Sequence, residues 1–169
     1  MEDYREYNKA CAPIILSWIK EEKAFYKWSA GVLGSYPLSP DDFDKKMCEM
    51  KSTNVFYPYV MLDRNKVIGF FILRFPNKDV NSMTIGFVVI DPNYRGKGIG
   101  KKMVNKAINL AFNQYKVDSV NLRVFECNPS AYNCYKSLGF KESGFEMVRI
   151  IKDEEWKVIG LEIKRELVF

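Results

Sequence analysis

The stretch Val89-Ile90-Asp91-Pro92-Asn93-Tyr94-Arg95-Gly96-Lys97-Gly98-Ile99-Gly100 decides how this chain is read. The residues leading into it, Ser82 to Ile90, form an apolar run whose end, Phe87-Val88-Val89-Ile90, predicts a strand buried on both faces and stopped at Asp91-Pro92. On the far side, Ile99, Met103, Val104, Ala107, Ile108, Ala111 and Phe112 share one face of a helix, and Lys101, Lys102, Asn105, Lys106, Asn109 and Asn113 take the other. A glycine loop between a strand and a helix start gathers unpaired amide N–H groups at the positive end of a helix dipole. Arg95, Lys97, Lys101, Lys102 and Lys106 add charge of the same sign, so phosphate is the expected ligand. Two common phosphate loops fail on spelling. G-x-x-x-x-G-K-[ST] is absent, because Arg95 and Lys102 stand at required positions, and Gly96, Gly98 and Gly100 give G-x-G-x-G rather than G-x-G-x-x-G.

Working outward, Ser119 to Phe125 alternates Val120, Leu122 and Val124 with Asn121, Arg123 and Phe125, predicting a strand parallel to the first and a β-loop-α-β unit. Asn128-Pro129-Ser130 opens a short helix through about Ser137, and Gly139 stops it. Phe140 to Ile151 and Trp156 to Leu167 read as a closing hairpin turning at Lys152-Asp153-Glu154-Glu155. Upstream, Phe56 to Asp63 and Lys66 to Phe75 are antiparallel strands around Asp63-Arg64-Asn65. The spacing of Ile14, Ile15, Trp18, Ile19 and Phe25 predicts one helix over Cys11 to Phe25. Ser39-Pro40-Asp41-Asp42 starts another that runs to about Met50.

The chain has 169 residues, 47% hydrophobic and 28% charged, which suits a single domain over 1–169. No apolar run is long enough for a membrane span, and the first twenty residues lack the basic and apolar blocks of a secretion signal. The four cysteines, at 11, 48, 127 and 134, form no C-x-x-C pair, so reduced thiols in the cytoplasm are expected and a metal is not. Histidine is absent, which removes every mechanism that needs imidazole. The net charge of +5 favours anionic small ligands and falls short of a dedicated nucleic-acid binder.

The loop resembles the coenzyme A loop of the GNAT superfamily of N-acetyltransferases, [RQ]-x-x-G-x-[GA], with Arg95, Gly98 and Gly100 in the fixed slots. Asn128-Pro129-Ser130-Ala131-Tyr132-Asn133-Cys134-Tyr135-Lys136-Ser137-Leu138-Gly139-Phe140 is similar to the family's N-x-x-A-x-x-x-Y-x-x-x-G-F at every fixed position. The two motifs come in family order and cover roughly residues 82 to 145. The resemblance implies an α/β fold of the α+β type: a mixed, mostly antiparallel sheet of about six or seven strands, flanked by about four helices, around a central β-loop-α-β unit that binds coenzyme A. It also implies direct transfer of an acetyl group from acetyl-CoA to a primary amine of a small molecule or protein, through a ternary complex.

Site roles follow by the same resemblance. Arg95, Gly96, Lys97, Gly98, Ile99, Gly100 and Lys101 would cradle the pyrophosphate. Backbone N–H groups near Val88, Val89 and Ile90 would meet the oxyanion. Asn128 would bind the pantetheine region or cap its helix, and Tyr135 would protonate the departing thiolate, a role a phenol near pKa 10 can fill at neutral pH. Some members carry a glutamate five residues before the motif asparagine, where this chain has Arg123, so Glu126 is the remaining nearby carboxylate and the candidate base. Phe25, Tyr26, Trp28, Tyr36, Phe56, Tyr57, Tyr59 and Trp156 are equally core residues or an acceptor-binding cluster. A non-catalytic coenzyme A-binding sensor is the alternative reading; neither nucleic acid nor membrane is an expected partner. Dimers, common in the family, leave a homodimer open.

Overall fold

The computed structural model describes residues 2–167; Met1, Val168 and Phe169, inside the domain expected over 1–169, lie outside the described residues. Seven strands build one sheet: β1 (Glu2–Glu6), β2 (Phe56–Asp63), β3 (Lys66–Arg74), β4 (Ser82–Ile90), β5 (Ser119–Phe125), β6 (Lys141–Ile151) and β7 (Glu154–Lys164). Their spatial order is β1-β2-β3-β4-β5-β7-β6. Every neighbouring pair is antiparallel except β4 with β5. The helices are α1 (Ala12–Ser17), α2 (Glu22–Ser29), α3 (Pro40–Lys51), α4 (Ile99–Asn113) and α5 (Pro129–Ser137). None is long and apolar enough to cross a membrane.

The alternation of strand residues divides the core into two layers. On one face, Met103, Val104 and Ala107 of α4 pack on Ile68, Phe71, Met83, Val120 and Leu122. On the other, Ile15, Phe25, Phe43 and Met47 of α1, α2 and α3 pack on Val60, Phe70 and Ile72. The mixed sheet and the central β-loop-α-β unit stand as the sequence predicts.

Two elements differ from expectation. The helix expected over Cys11 to Phe25 is broken into α1 and α2, which brings the α-helices among the described residues to five where about four are expected. The end of α1 tightens as the Trp18 and Ile19 N–H groups bond back three residues to the Ile15 and Leu16 carbonyls, and extended Glu21 then caps α2. The apolar spacing runs through the break because Ile15, Trp18, Ile19 and Phe25 all reach the same core. The second difference is β1, whose sequence EDYRE has no apolar alternation. It is a strand because it pairs with β2, from Glu2↔Asp63 to Glu6↔Tyr59, and charged residues suit a sheet edge. The closing turn is also shorter than expected: only Lys152 and Asp153, both left-handed at φ 49° and 65°, connect β6 to β7.

What positions the site is the β4–β5 seam. The strands pair only at Ser82↔Ser119, Met83↔Val120 and Thr84↔Asn121, and then diverge. Phe87 sits in the left-handed region at φ 49°, and the β3–β4 register slips opposite Phe70 to Ile72. This bulge turns the end of β4 away from β5.

Candidate active site

A cleft of about 1070 Å³ occupies the gap between the diverging strands. Gly86 to Ile90 of β4 and Leu122 to Phe125 of β5 line it. At one end stand Arg95, Gly100 and the inner face of α5, and at the other the α1–α2 segment and the end of β3. The bulge is held from α2: Trp28 Nε1 donates to the Phe87 carbonyl at 2.8 Å, and the two rings lie 6.0 Å apart. A non-glycine residue at positive φ is strained, so the tryptophan hydrogen bond secures a conformation the strand would not adopt alone.

Past the bulge, Asp91 anchors the loop. Its N–H bonds to the Ile68 carbonyl at 2.9 Å, and its carboxylate accepts from the Asn93 N–H at 2.9 Å and pairs with Lys66 at 3.2 Å. Burial pushes the Asp91 pKa up, but the Asn93 N–H and the Lys66 ammonium outweigh it and hold the carboxyl below its usual range. The chain then passes through Gly96 and Gly98 at φ 72° and 75°, and Gly98 caps the 15-residue α4. That left-handed conformation needs glycine, and open space surrounds both positions. Among the described residues, no acceptor pairs with the amide N–H groups of Gly96 through Lys101. They form a row of unpaired donors at a helix N-terminus, an arrangement that suits an anion.

The loop side chains divide by role. Arg95 lines the cleft, whereas Lys97 folds back, donating to the Asn93 carbonyl at 3.0 Å, and Ile99 is buried in the α4 core. Val88, Val89, Ile90 and Gly100 line the cleft; Gly96, Lys97, Gly98, Ile99 and Lys101 do not.

From α5 come two of the expected residues. Asn128 caps the helix, its side-chain oxygen accepting from the Ala131 N–H at 3.4 Å, and it faces the cleft as well. Tyr135 is 8% exposed, sets its ring edge-on to Phe140 and lines the cleft. Its hydroxyl has no hydrogen-bond partner among the described residues. Burial, helped by nearby Cys134, pushes its pKa well above the ordinary phenol value and keeps it protonated. Glu126 is different: it lies on the surface, ion-paired with Lys157 at 3.4 Å, and is not among the lining residues.

Of the eight aromatics noted in the sequence, Trp28 and Phe56 line the cleft. Tyr59 bonds Tyr115 hydroxyl to hydroxyl at 2.6 Å on the α4 side of the sheet, and Trp156 packs edge-on against Phe125 at 5.0 Å. Sequence reasoning missed Arg74 and Arg149, which line the cleft from β3 and β6; nothing local marks them, because the topology alone brings them to Arg123.

A splayed parallel strand pair, a row of unpaired amide donors at its mouth and a buried phenol inside suit an acyltransferase that draws on a phosphate-bearing carrier. Residues 15–140 match the acetyltransferase (GNAT) family, and the chain belongs to that family. It is 29% identical over 128 residues to the peptidyl-lysine N-acetyltransferase YjaB of Salmonella typhimurium, covering 73% of this chain and 78% of that protein. It is 30% identical over 138 residues to the N-acetylaspartate synthetase of Danio rerio, covering 79% of this chain and 46% of that one. The spermidine N-acetyltransferase of Vibrio cholerae, in complex with CoA and spermine, superimposes with a TM-score of 0.81 at 20% identity, over 98% of this chain and 96% of that chain. The protein is an acetyl-CoA-dependent N-acetyltransferase.

Proposed function

We propose that this domain, over 1–169, acetylates a primary amine of a small molecule or protein by direct transfer within a ternary complex. The observation that carries the assignment is that unpaired N–H donors at Gly96 to Lys101 border the same gap that the unpartnered hydroxyl of Tyr135 lines. The pyrophosphate of acetyl-CoA takes the loop amides, with Arg95, Lys97 and Lys101 supplying charge. From Ile85 to Ile90 the β5-facing edge of β4 has no strand partner, so an extended, amide-bearing pantetheine chain fits along it as an added strand. Asn128 meets that chain from α5 with the amide group its capping bond leaves over.

The acceptor nitrogen attacks the thioester carbon, and the negative charge on oxygen falls to N–H groups near Val88, Val89 and Ile90. As the C–S bond breaks, the Tyr135 hydroxyl gives its proton to the thiolate. The proton lost by the nitrogen returns through water to the phenolate, so the net change is amine and thioester to amide and thiol. Glu126, tied to Lys157 outside the lining, reaches the acceptor only through water, and the proposal gives proton removal to cleft water. Lys27 and Arg149, which also line the cleft, assist, since nearby positive charge lowers the pKa of an ammonium. The reducing cytoplasm is the proposed compartment, with the four unpaired thiols in support; a homodimer rests on family analogy.

Thermal unfolding with and without acetyl-CoA tests the reading. Ligand at about 100 times its dissociation constant adds about 2.7 kcal/mol of stability, and thiol release with an amine panel then reports turnover. No shift at millimolar acetyl-CoA removes the assignment. A shift with no thiol release from any amine favours a coenzyme A-binding module instead.

A further inference from the structure

The acceptor side of the cleft is cationic and unneutralised. Besides Arg95 at the glycine loop, Lys20, Lys27, Arg74, Arg123 and Arg149 line the cleft against one carboxylate, exposed Glu21. Arg74 ends β3 opposite Thr84 of β4, Thr84 stands opposite Asn121 of β5, and Arg123 lies two residues beyond Asn121 on the same face. The polar row between the two arginines is closed on itself: Thr84 Oγ1 bonds Asn121 Oδ1 at 2.7 Å, and Asn121 Nδ2 donates to Ser82 Oγ at 2.7 Å. Among the described residues, Arg74, Arg123 and Arg149 have no ion pair and no hydrogen-bond acceptor.

We infer that the acceptor is a small amine that also carries an oxyanion group, a carboxylate or a phosphate, gripped by Arg74 and Arg123. The inference rests on the acetyltransferase reading above. Arg74 is half-buried, and burial together with the Arg123 charge lowers its pKa, a standing cost that a bound anion relieves. Arg123 is already oriented, its guanidinium lying over the Phe145 ring with 4.2 Å to the centroid. Planar guanidinium groups suit bidentate oxyanion binding. The cofactor pyrophosphate is not their partner: Thr84 to Ile90 spans about 20 Å of strand at about 3.3 Å per residue, and the loop lies beyond Ile90. Val88, the near end of the oxyanion-binding segment, is about 13 Å from Thr84 by the same rise, a span that one small molecule and the long arginine side chains cover between them, with the amine at the thioester and the anion at the arginines. A polycation would meet like charges along the whole face.

The test is a thiol-release assay with matched acceptors: aspartate against its diamide, glucosamine 6-phosphate against glucosamine, and spermidine. The expected result is a preference of about 10-fold or more for the acidic member of at least one pair, and which pair responds separates carboxylate from phosphate. Arg74→Gln and Arg123→Gln should each raise KM for that acidic member by about 10- to 100-fold and leave its neutral partner unchanged. A preference for spermidine or for the neutral members, or variants that affect both members equally, overturns the inference. As a readout without turnover, succinate or inorganic phosphate should stabilise the wild-type complex with CoA and not the two variants; equal response overturns it as well. Acetyl-CoA stabilisation is measured alongside. Its absence in the wild type defeats the acetyltransferase reading, whereas its retention without acid selectivity defeats this inference alone.

Discussion

Tyr135→Phe removes one oxygen from the cleft and leaves the packing in place. The hydroxyl has no partner among the described residues, so its loss orphans no donor or acceptor, and the ring keeps its edge contact with Phe140. Folding stability should then change by no more than about 0.5 kcal/mol. Tyr135→Ala would confuse the result, because emptying a buried ring costs about 3–5 kcal/mol. If the hydroxyl protonates the leaving thiolate, its loss should lower kcat by about 10²- to 10⁴-fold, or about 2.7–5.4 kcal/mol of barrier. The acetyl-CoA dissociation constant should stay within about twofold. The assay is thiol release at saturating substrates, with calorimetric titration of acetyl-CoA and thermal unfolding of both proteins. Because burial holds the phenol above its ordinary pKa of 10.0, wild-type kcat should show no loss attributable to this group below that pH. A kcat within about threefold of wild type, at unchanged stability, would refute the assignment and hand proton donation to water.

Three further outcomes are expected. Gly100→Ala places a methyl 3.8 Å from Ile90 Cγ1 in ordinary contact, so helix stability should rise by up to about 1 kcal/mol while acetyl-CoA binding weakens at least about 10-fold; unchanged affinity in a titration contradicts the cradle. Trp28→Phe leaves the Phe87 carbonyl without its donor at a cost of about 1–3 kcal/mol, and kcat should fall more than acetyl-CoA affinity; equal losses in both would separate the bulge from the chemistry. Tyr7, Tyr59 and Tyr135 have pKa values raised chiefly by burial, with Asp44 adding at Tyr7. Unfolded phenols ionise near 10.0 while the folded ones stay neutral, so their contribution is complete below that pH and is lost as pH rises toward the folded values. Each adds a slope of about 1.4 kcal/mol per pH unit, and a denaturation midpoint that stays flat from about pH 9 to 11 would contradict it.

The parts legible in sequence were those whose cause is local. Helical spacing from Ile99 to Phe112, strand alternation from Ser119 to Phe125 and glycine punctuation between Arg95 and Gly100 each report a nearby constraint, and all three formed where expected. Asn128 and Tyr135 were legible because the motif spacing fixes them on one short helix facing the gap. Long-range causes left no such trace. EDYRE becomes β1 only because β2 offers an edge, and the α1–α2 break hides behind apolar spacing that serves one core on both sides. Arg123 registered in the sequence as a missing carboxylate; only the sheet order, which sets β3 beside β4 and β4 beside β5, turns it into half of an arginine pair. Glu126 looked available through proximity in sequence to Asn128, and Lys157 from the neighbouring strand claims it.

The short seam between β4 and β5 also governs how the molecule opens. Three residue pairs are all the strand pairing that joins β1–β4 to β5–β7, and α4 spans the join by packing on Met83 and Ile85 from one side and Val120 and Leu122 from the other. The sheet is thus two leaves sewn by three stitches along a helical spine, and each leaf has its own cost of local unfolding. A cofactor lying between Ile85–Ile90 and α5 adds a second line of attachment where the backbone provides none. Filling the gap should therefore slow amide hydrogen exchange in the β6–β7 hairpin, because the β5–β7 leaf would then part from β4 less readily.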